Sequence, residues 1–386
     1  MRLCHVSPHL PPDQAANAIL PAQLGTWAES AGHDVAFVTQ DPAQGGRLVS
    51  TTTAGRIRRV SIRRSSSPVL RALRADTWFR ARTVTAALDE MARSADLLHL
   101  HSNGLIIEVA AAWAHRRGIP YVLTLYGTEI WHYRRRWPID PFTRAYRRAA
   151  EVTFYSQGLH DKALALGLGR PGLSVIYPPV GDAFSPRDDE TRREWRRELG
   201  IEEPLVILNV KRLHELAGQR YLIDAFARIA RSRHDVRLVI CGTGPLRLDL
   251  EEQARAAGVL PRVTFTGLLP NEDVARYAAV ADVFVLPSLL EALPTVAVEA
   301  LAAGTPVVSA DHPGGLELHG VFGADVAVVP RQNADALADA LSEVLAHPRR
   351  VLPATGVQVR HRFCRPAVEA SYLAVYERLL AGKRPA

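Results

Sequence analysis

Two glutamates, Glu291 and Glu299, carry the clearest chemistry in this chain of 386 residues. They lie in the run Ser288 to Val308, SLLEALPTVAVEALAAGTPVV, which reads as a strand exit, a loop, a short helix and a further strand. Pro294 suits a first helical position and Gly304 the position just past the end. Between them Val296, Ala297, Val298, Ala300, Leu301, Ala302 and Ala303 leave the helix apolar on every side, so it must be buried. Glu299 sits in its middle, and a buried carboxylate is costly without a partner. Leu293, at the expected N-cap, offers no oxygen to the first-turn N–H groups around Thr295 and Val296. A helix N-terminus with free N–H groups attracts phosphate. Glu291 and Glu299 would then flank a bound polyol phosphate; the alternative is a core helix with Glu299 paired to an arginine.

The elements that must position these residues follow from alternating short apolar runs and longer amphipathic stretches, the pattern of parallel α/β units. Strands are predicted at Arg2–Val6, Asp34–Thr39, Leu97–His101, Tyr121–Tyr126, Val152–Tyr155 and Ser174–Tyr177. In the second half they fall at Leu205–Val210, Arg237–Cys241, Arg262–Gly267, Val283–Leu286, Pro306–Ser309 and Val326–Val329. Helices are predicted at Ala16–Ala31, Leu70–Ala92, Leu105–Arg117, Arg220–Arg231, Gly244–Ala257, Asn271–Ala279, Pro294–Ala303 and Ala334–Ala346. The run from Tyr177 to Glu190, rich in proline, glycine and charge, reads as the linker. The expected class is α/β: two doubly wound, Rossmann-like domains, residues 1–183 and 184–365, facing a central cleft. A last helix, about 366–386, could pack back on the first domain. Ligands of open parallel sheets bind beyond the strands' carboxyl ends. There the second domain places Lys211, Arg212, Gly242, Gly244, Gly267 and Ser288 to Glu291. A dinucleotide fingerprint would need glycine where Arg247 stands, which argues against a nicotinamide dehydrogenase.

Composition excludes other classes. The length suits two domains and the apolar share, 47%, is that of a globular protein. Cys4, Cys241 and Cys364 are scattered without metal-ligand spacing and read as reduced thiols. No apolar run approaches the ~18 residues of a membrane span, and the N-terminus lacks a signal peptide's apolar core; a cytoplasmic location is expected. Residues 1–183 carry a net charge of +8 and the remainder −1. Arg56, Arg58, Arg59, Arg63, Arg64, Arg71, Arg74, Arg80 and Arg82 form one basic stretch and Arg134, Arg135 and Arg136 another. These could attract an anionic acceptor or a membrane face, or be a solvated surface. Leu70, Leu73, Trp78 and Val84 share a helical face that is expected to pack in the core rather than dock on lipid. Nothing in the basic pattern points to nucleic acid.

The motifs together resemble the retaining GT-B glycosyltransferases of the large family four. Glu291 and Glu299 match that family's paired glutamates, and the run from Asn209 to Phe226, NVKRLHELAGQRYLIDAF, its diphosphate segment. Cys241-Gly-Thr-Gly-Pro245, Phe265-Thr-Gly267 and Gly314-Gly-Leu-Glu317 match further signatures. The resemblance implies a retaining, metal-independent transfer of a sugar from a nucleotide sugar, a UDP-sugar foremost, to a hydroxyl acceptor, with no other cofactor. It implies that Glu299 holds the ribose, Glu291 the donor sugar and Arg212 the diphosphate. Gly267 and Leu268 would line the base, Gly242 and Gly244 would let backbone approach the ligand, and the N–H groups near Leu293 to Val296, those of Leu293, Thr295 and Val296 around Pro294, would reach phosphate or sugar. His101 would end its strand facing the cleft and either touch the sugar or be merely structural. Departures from the pattern are Ala217 where the family has lysine, Lys211 where it has glycine, Ala15-Ala16 for a Gly-Gly loop and Tyr126 for histidine. Lys211 would either supply the missing phosphate contact or point into solvent. The competing readings are an idle GT-B binding or partner subunit and a GT-B nucleotide-sugar epimerase.

Overall fold

The computed structural model describes residues 1–11, 13, 16–40, 56–62, 75–136, 138 and 140–382. Two compact units emerge: Met1–Tyr177 with Glu369–Ala386, and Pro178–Val368.

The first unit is built on a parallel sheet of β1 (Arg2–Ser7), β2 (Asp34–Gln40), β3 (Arg56–Val60), β4 (Leu97–His101), β5 (Tyr121–Leu125), β6 (Glu151–Phe154) and β7 (Leu173–Val175). The strand order is β3-β2-β1-β4-β5-β6-β7, so the winding reverses between β1 and β4. Its helices are α1 (Ala16–Ser30), α2 (Ala75–Met91), α3 (Leu105–Arg116), α4 (Thr128–Trp131), α5 (Pro141–Arg148) and α6 (Gln157–Ala165). β1, β4 and β5 are buried almost throughout, as strands of a parallel sheet covered on both faces are. β3 is an edge strand of sequence RIRRV. The sequence shows it only as part of a basic stretch, because an edge strand exposes one side and can carry arginines there. Of that stretch, Arg63, Arg64, Arg71 and Arg74 lie outside the described residues, as do Leu70, Leu73 and Ala15. On α2, Val84 is buried while Trp78 is 54% and Phe79 56% exposed, so the shared core-facing side expected for Trp78 and Val84 does not exist.

The second unit holds α7 (Asp189–Glu198) and a six-stranded parallel sheet: β8 (Leu205–Val210), β9 (Val236–Cys241), β10 (Val263–Gly267), β11 (Val283–Leu286), β12 (Val307–Ala310) and β13 (Val326–Val329). The order β10-β9-β8-β11-β12-β13 reverses between β8 and β11. Around it run α8 (Gln219–Ala230), α9 (Arg247–Ala256), α10 (Asn271–Val280), α11 (Thr295–Ala302), α12 (Pro313–Phe322), α13 (Ala334–Ala346) and α14 (Pro353–Arg362). Ile207, Leu238 and Ile240 of the sheet pack with Leu222 and Phe226 of α8 and Leu337 and Leu341 of α13 in one core.

The last helix, α15 (Arg365–Ala381), belongs to the first unit from Glu369 onward. Tyr372 and Tyr376 are buried there, and Arg378 pairs with the buried Glu151 at 3.1 Å. Among the described residues no helix is long and apolar enough to cross a membrane.

Candidate functional site

In the second unit the candidate residues gather where the strand order reverses, the place where an open parallel sheet leaves a crevice. Lys211 follows β8 and Glu291 follows β11, and their side chains form an ion pair that bridges the two loops. Lys211 therefore does not point into solvent. Arg212, beside it, is exposed and makes no ion pair among the described residues. Asn209 near the end of β8, Gln219 at the start of α8 and Ser288 after β11 flank these loops, each almost wholly buried. Asn209 Nδ2 donates to the Val285 carbonyl at 2.9 Å, but Asn209 Oδ1, Gln219 Oε1 and Ser288 Oγ have no hydrogen-bond partner among the described residues. Buried polar atoms are nearly always satisfied, so three orphans around one crevice mark a place built to meet something polar.

α11 begins one residue later than the sequence predicts: Pro294 is its N-cap, in extended conformation, and Thr295 its first residue. The first bonds onto the cap run from Ala297 N–H (3.1 Å) and Val298 N–H (3.4 Å) to the Pro294 carbonyl. The N–H groups of Thr295 and Val296 are left without an acceptor among the described residues, as the first turn of a helix requires. The helix closes at Gly304, whose φ of 89° suits glycine alone.

The Glu299 carboxyl has no hydrogen bond or ion pair among the described residues, so the arginine-paired alternative fails. Its surface is only partly occluded, yet the surrounding protein desolvates the carboxyl enough to push its pKa up to about 7.

The glycines act differently from the reading carried over. Gly242 has φ 139°, and a Cβ there would lie 2.1 Å from the Lys211 carbonyl oxygen; one on Gly244 would lie 2.1 Å from that of Leu213. The close approach they permit is to the chain's own 211–213 backbone, which locks the Lys211–Arg212 loop against the end of β9. Gly314 does the same for the Glu291 loop: its N–H donates to the Glu291 carbonyl at 3.1 Å and a Cβ would meet Pro294 at 2.7 Å. Gly267, at φ 78°, ends β10, and Leu268 after it is 70% exposed. Leu293 is buried. Ala217, in place of the family's lysine, is also buried.

His101 lies in the first unit and does not face open space. It is fully buried, with Nε2 3.1 Å from His5 Nδ1 and Nδ1 2.9 Å from the Tyr126 hydroxyl. Its neighbour His99 meets the Thr124 hydroxyl at 2.6 Å and the Tyr376 hydroxyl at 2.7 Å. Desolvation, then the neighbouring imidazoles, holds His99 and His101 well below their ordinary pKa, and desolvation brings His5 to about 3. All three are neutral, and a neutral imidazole has one donor and one acceptor. His5 Nε2 is buried without a partner among the described residues, which is less costly as a lone pair than as an N–H. That choice makes His5 donate to His101 and His101 donate to Tyr126. The Tyr126 proton is then free to point elsewhere, and Tyr126 is only half-buried. The outward group is thus the tyrosine, not the histidine behind it. This stack was not anticipated; its one sequence signal is His99-Leu-His101, alternate residues that share a face of β4.

Two family models match the chain: Glycosyl transferases group 1 over residues 191–357 and Glycosyltransferase Family 4 over residues 22–184. A 2-deoxystreptamine glucosyltransferase of Streptomyces kanamyceticus is 30% identical over 275 residues, 67% of this chain and 70% of that one. A GDP-mannose-dependent alpha-(1-6)-phosphatidylinositol monomannoside mannosyltransferase of Mycolicibacterium smegmatis is 34% identical over 241 residues, 58% of this chain and 62% of the relative. Among solved structures, a sucrose-phosphate synthase from Thermosynechococcus elongatus superposes with a TM-score of 0.76 at 22% identity, over 99% of this chain and 100% of that one. Anabaena HepE in complex with UDP-glucose does so at 0.70 and 18% identity, over 98% and 100%. Such identities speak for the fold, which is GT-B, while the sequence matches reach both units. The chain belongs to the glycosyl transferases group 1 family.

Proposed function

We propose that the chain transfers a sugar from a nucleotide sugar, a UDP-sugar, to a hydroxyl of an acceptor, retaining the anomeric configuration and using no metal ion. The observation that carries this reading is Glu299: a carboxyl without a partner among the described residues, on a largely apolar helix whose first two N–H groups take no acceptor there. The ribose hydroxyls of the donor give that carboxyl its hydrogen bonds. Glu291 holds the sugar hydroxyls, and Gly267 and Leu268 lie along the base. The bond between the anomeric carbon and the diphosphate oxygen breaks, and charge grows on that oxygen. Arg212, Lys211 and the start of α11 stabilise it in place, with no reorganisation at the moment of reaction. The acceptor oxygen attacks from the same face and passes its proton to the departing phosphate oxygen, so no side chain need act as nucleophile or base. The first unit serves the acceptor, with Tyr126 offering its proton toward it. Three free thiols fit a reducing cytoplasm.

The test is incubation with a panel of UDP-sugars, with and without hydroxyl acceptors, following free UDP and the anomeric proton of the product by NMR. Release of UDP with retention is expected. Epimerised sugar without UDP, or binding with no turnover, would overturn the transferase reading.

A further inference from the structure

A cavity of about 700 Å³ in the first unit is lined by Arg80 of α2, Gly104 and Glu108 at the start of α3, and Arg134, Arg135 and Arg136 before α5. Its other carboxylates are already committed. Glu129 accepts from the Ser102 hydroxyl and from Gly127 N–H, the latter at 2.8 Å. Asp140 caps α5, accepting from Thr143 N–H at 3.1 Å and the Thr143 hydroxyl at 2.7 Å, and also from Arg136 N–H at 3.3 Å. Desolvation holds Glu108 above the usual carboxylate range, opposed by the charge of Arg136. The cations are not committed to the same degree. Arg80 donates to the Ile62 carbonyl and lies 3.6 Å from Asp76. The guanidinium groups of Arg134, Arg135 and Arg136 make no ion pair or side-chain hydrogen bond among the described residues.

The backbone at the same wall is held in a costly shape. Ser102 has φ 73°, which a residue with a side chain rarely adopts, and Gly104 follows at 104°. The Ser102–Glu129 hydrogen bond fixes that turn. It brings the uncapped start of α3 to the cavity: Ile107 and Glu108 N–H bond back to the Gly104 carbonyl at 3.0 Å, while Leu105 and Ile106 N–H take no acceptor among the described residues. A planar carboxylate is satisfied by one guanidinium fork. Several forks and an uncapped helix start lining one space match the oxygens of a phosphate.

We propose that this cavity binds a phosphate group and, resting on the transferase reading above, that the acceptor is a phosphate ester. The test is calorimetric titration of the full chain with glycerol phosphate and with glycerol, repeated in the R134Q/R135Q/R136Q variant, each also titrated with UDP. Wild type should bind glycerol phosphate and not glycerol. The variant should lose at least roughly tenfold in affinity, the ratio that one charge-assisted contact supports, while its UDP affinity stays unchanged. Co-sedimentation with phosphatidylglycerol vesicles separates the sources. Vesicle binding that glycerol phosphate competes away and the variant lacks puts the phosphate on a lipid; no vesicle binding makes it a soluble ester. Absent glycerol phosphate binding, or equal binding by wild type and variant, overturns the proposal. Intact phosphate binding without any UDP binding would instead remove the transferase reading and leave the phosphate site standing.

Discussion

Glutamine at position 299 keeps the shape of the side chain and removes its charge. In the folded protein the Glu299 pKa is raised from 4.5 to about 7 by desolvation alone, a difference worth about 3 kcal/mol at 1.36 kcal/mol per unit. A raised folded pKa means that the neutral acid is the form the fold favours. Its contribution to stability is fully present below pH 4.5 and is lost as pH rises through about 7. Above that window the wild type carries the cost of an ionised, partnerless carboxylate and Glu299→Gln does not. The variant should therefore be the more stable protein near pH 8 by up to about 3 kcal/mol, on the order of 5–10 °C in Tm for a unit of this size. The advantage should vanish toward about pH 5. UDP affinity should move the opposite way, falling roughly tenfold as the ribose loses a charged acceptor. Thermal unfolding across that pH range, with and without UDP, reads both effects. A stability gap that does not change with pH, or a variant that binds UDP as tightly as wild type, would refute the assignment of Glu299 as a carboxylate kept for a ligand.

Four further outcomes follow from the geometry. Arg212→Ala should lower turnover by roughly 10²–10³ in steady-state kinetics, as for loss of a transition-state charge contact; Glu291→Ala should cut kcat while sparing affinity for bare UDP, and an equal loss of UDP affinity would show that the two glutamates do not divide the donor. Gly242→Ala forces a methyl toward the Lys211 carbonyl at an unfavourable φ and should cost about 3 kcal/mol or more, read from the urea midpoint. Tyr376→Phe strips His99 Nδ1 of its buried partner and should cost about 1–3 kcal/mol in the same assay.

The second unit's sheet was legible because strands of a parallel sheet are written as short, largely apolar runs, and all six were placed to within a residue or two. The helices bearing charge were harder. α7, of sequence DETRREWRRE, has no buried residue and shows no apolar stripe to find, although Asp188 caps it from the side. Its hold on the unit comes through Arg192 and Arg196 donating to the Ala279 and Val280 carbonyls, contacts that periodicity does not record. At the site, the paired glutamates and the start of α11 could be found from residue type and spacing. The Lys211–Glu291 pair could not, since it joins loops eighty positions apart that only the strand reversal brings together. The role of Gly242 and Gly244 was hidden for the same reason: a glycine shows that something comes close, not what.

The completion of the first unit by α15 has a bearing on how the protein is made. Residues 178–368, the whole of the second unit, must leave the ribosome between Tyr177 and the segment that supplies Tyr372 and Tyr376. At about 5–20 residues per second that is a delay of roughly 10–40 s. Throughout it the unit begun first lacks its closing piece, and the ring of His99 has no Tyr376 to meet. The nascent chain should therefore finish its second half before its first, inverting the usual order of synthesis, and the interval in between is when a chaperone or a protease has its best access to the face that α15 will cover.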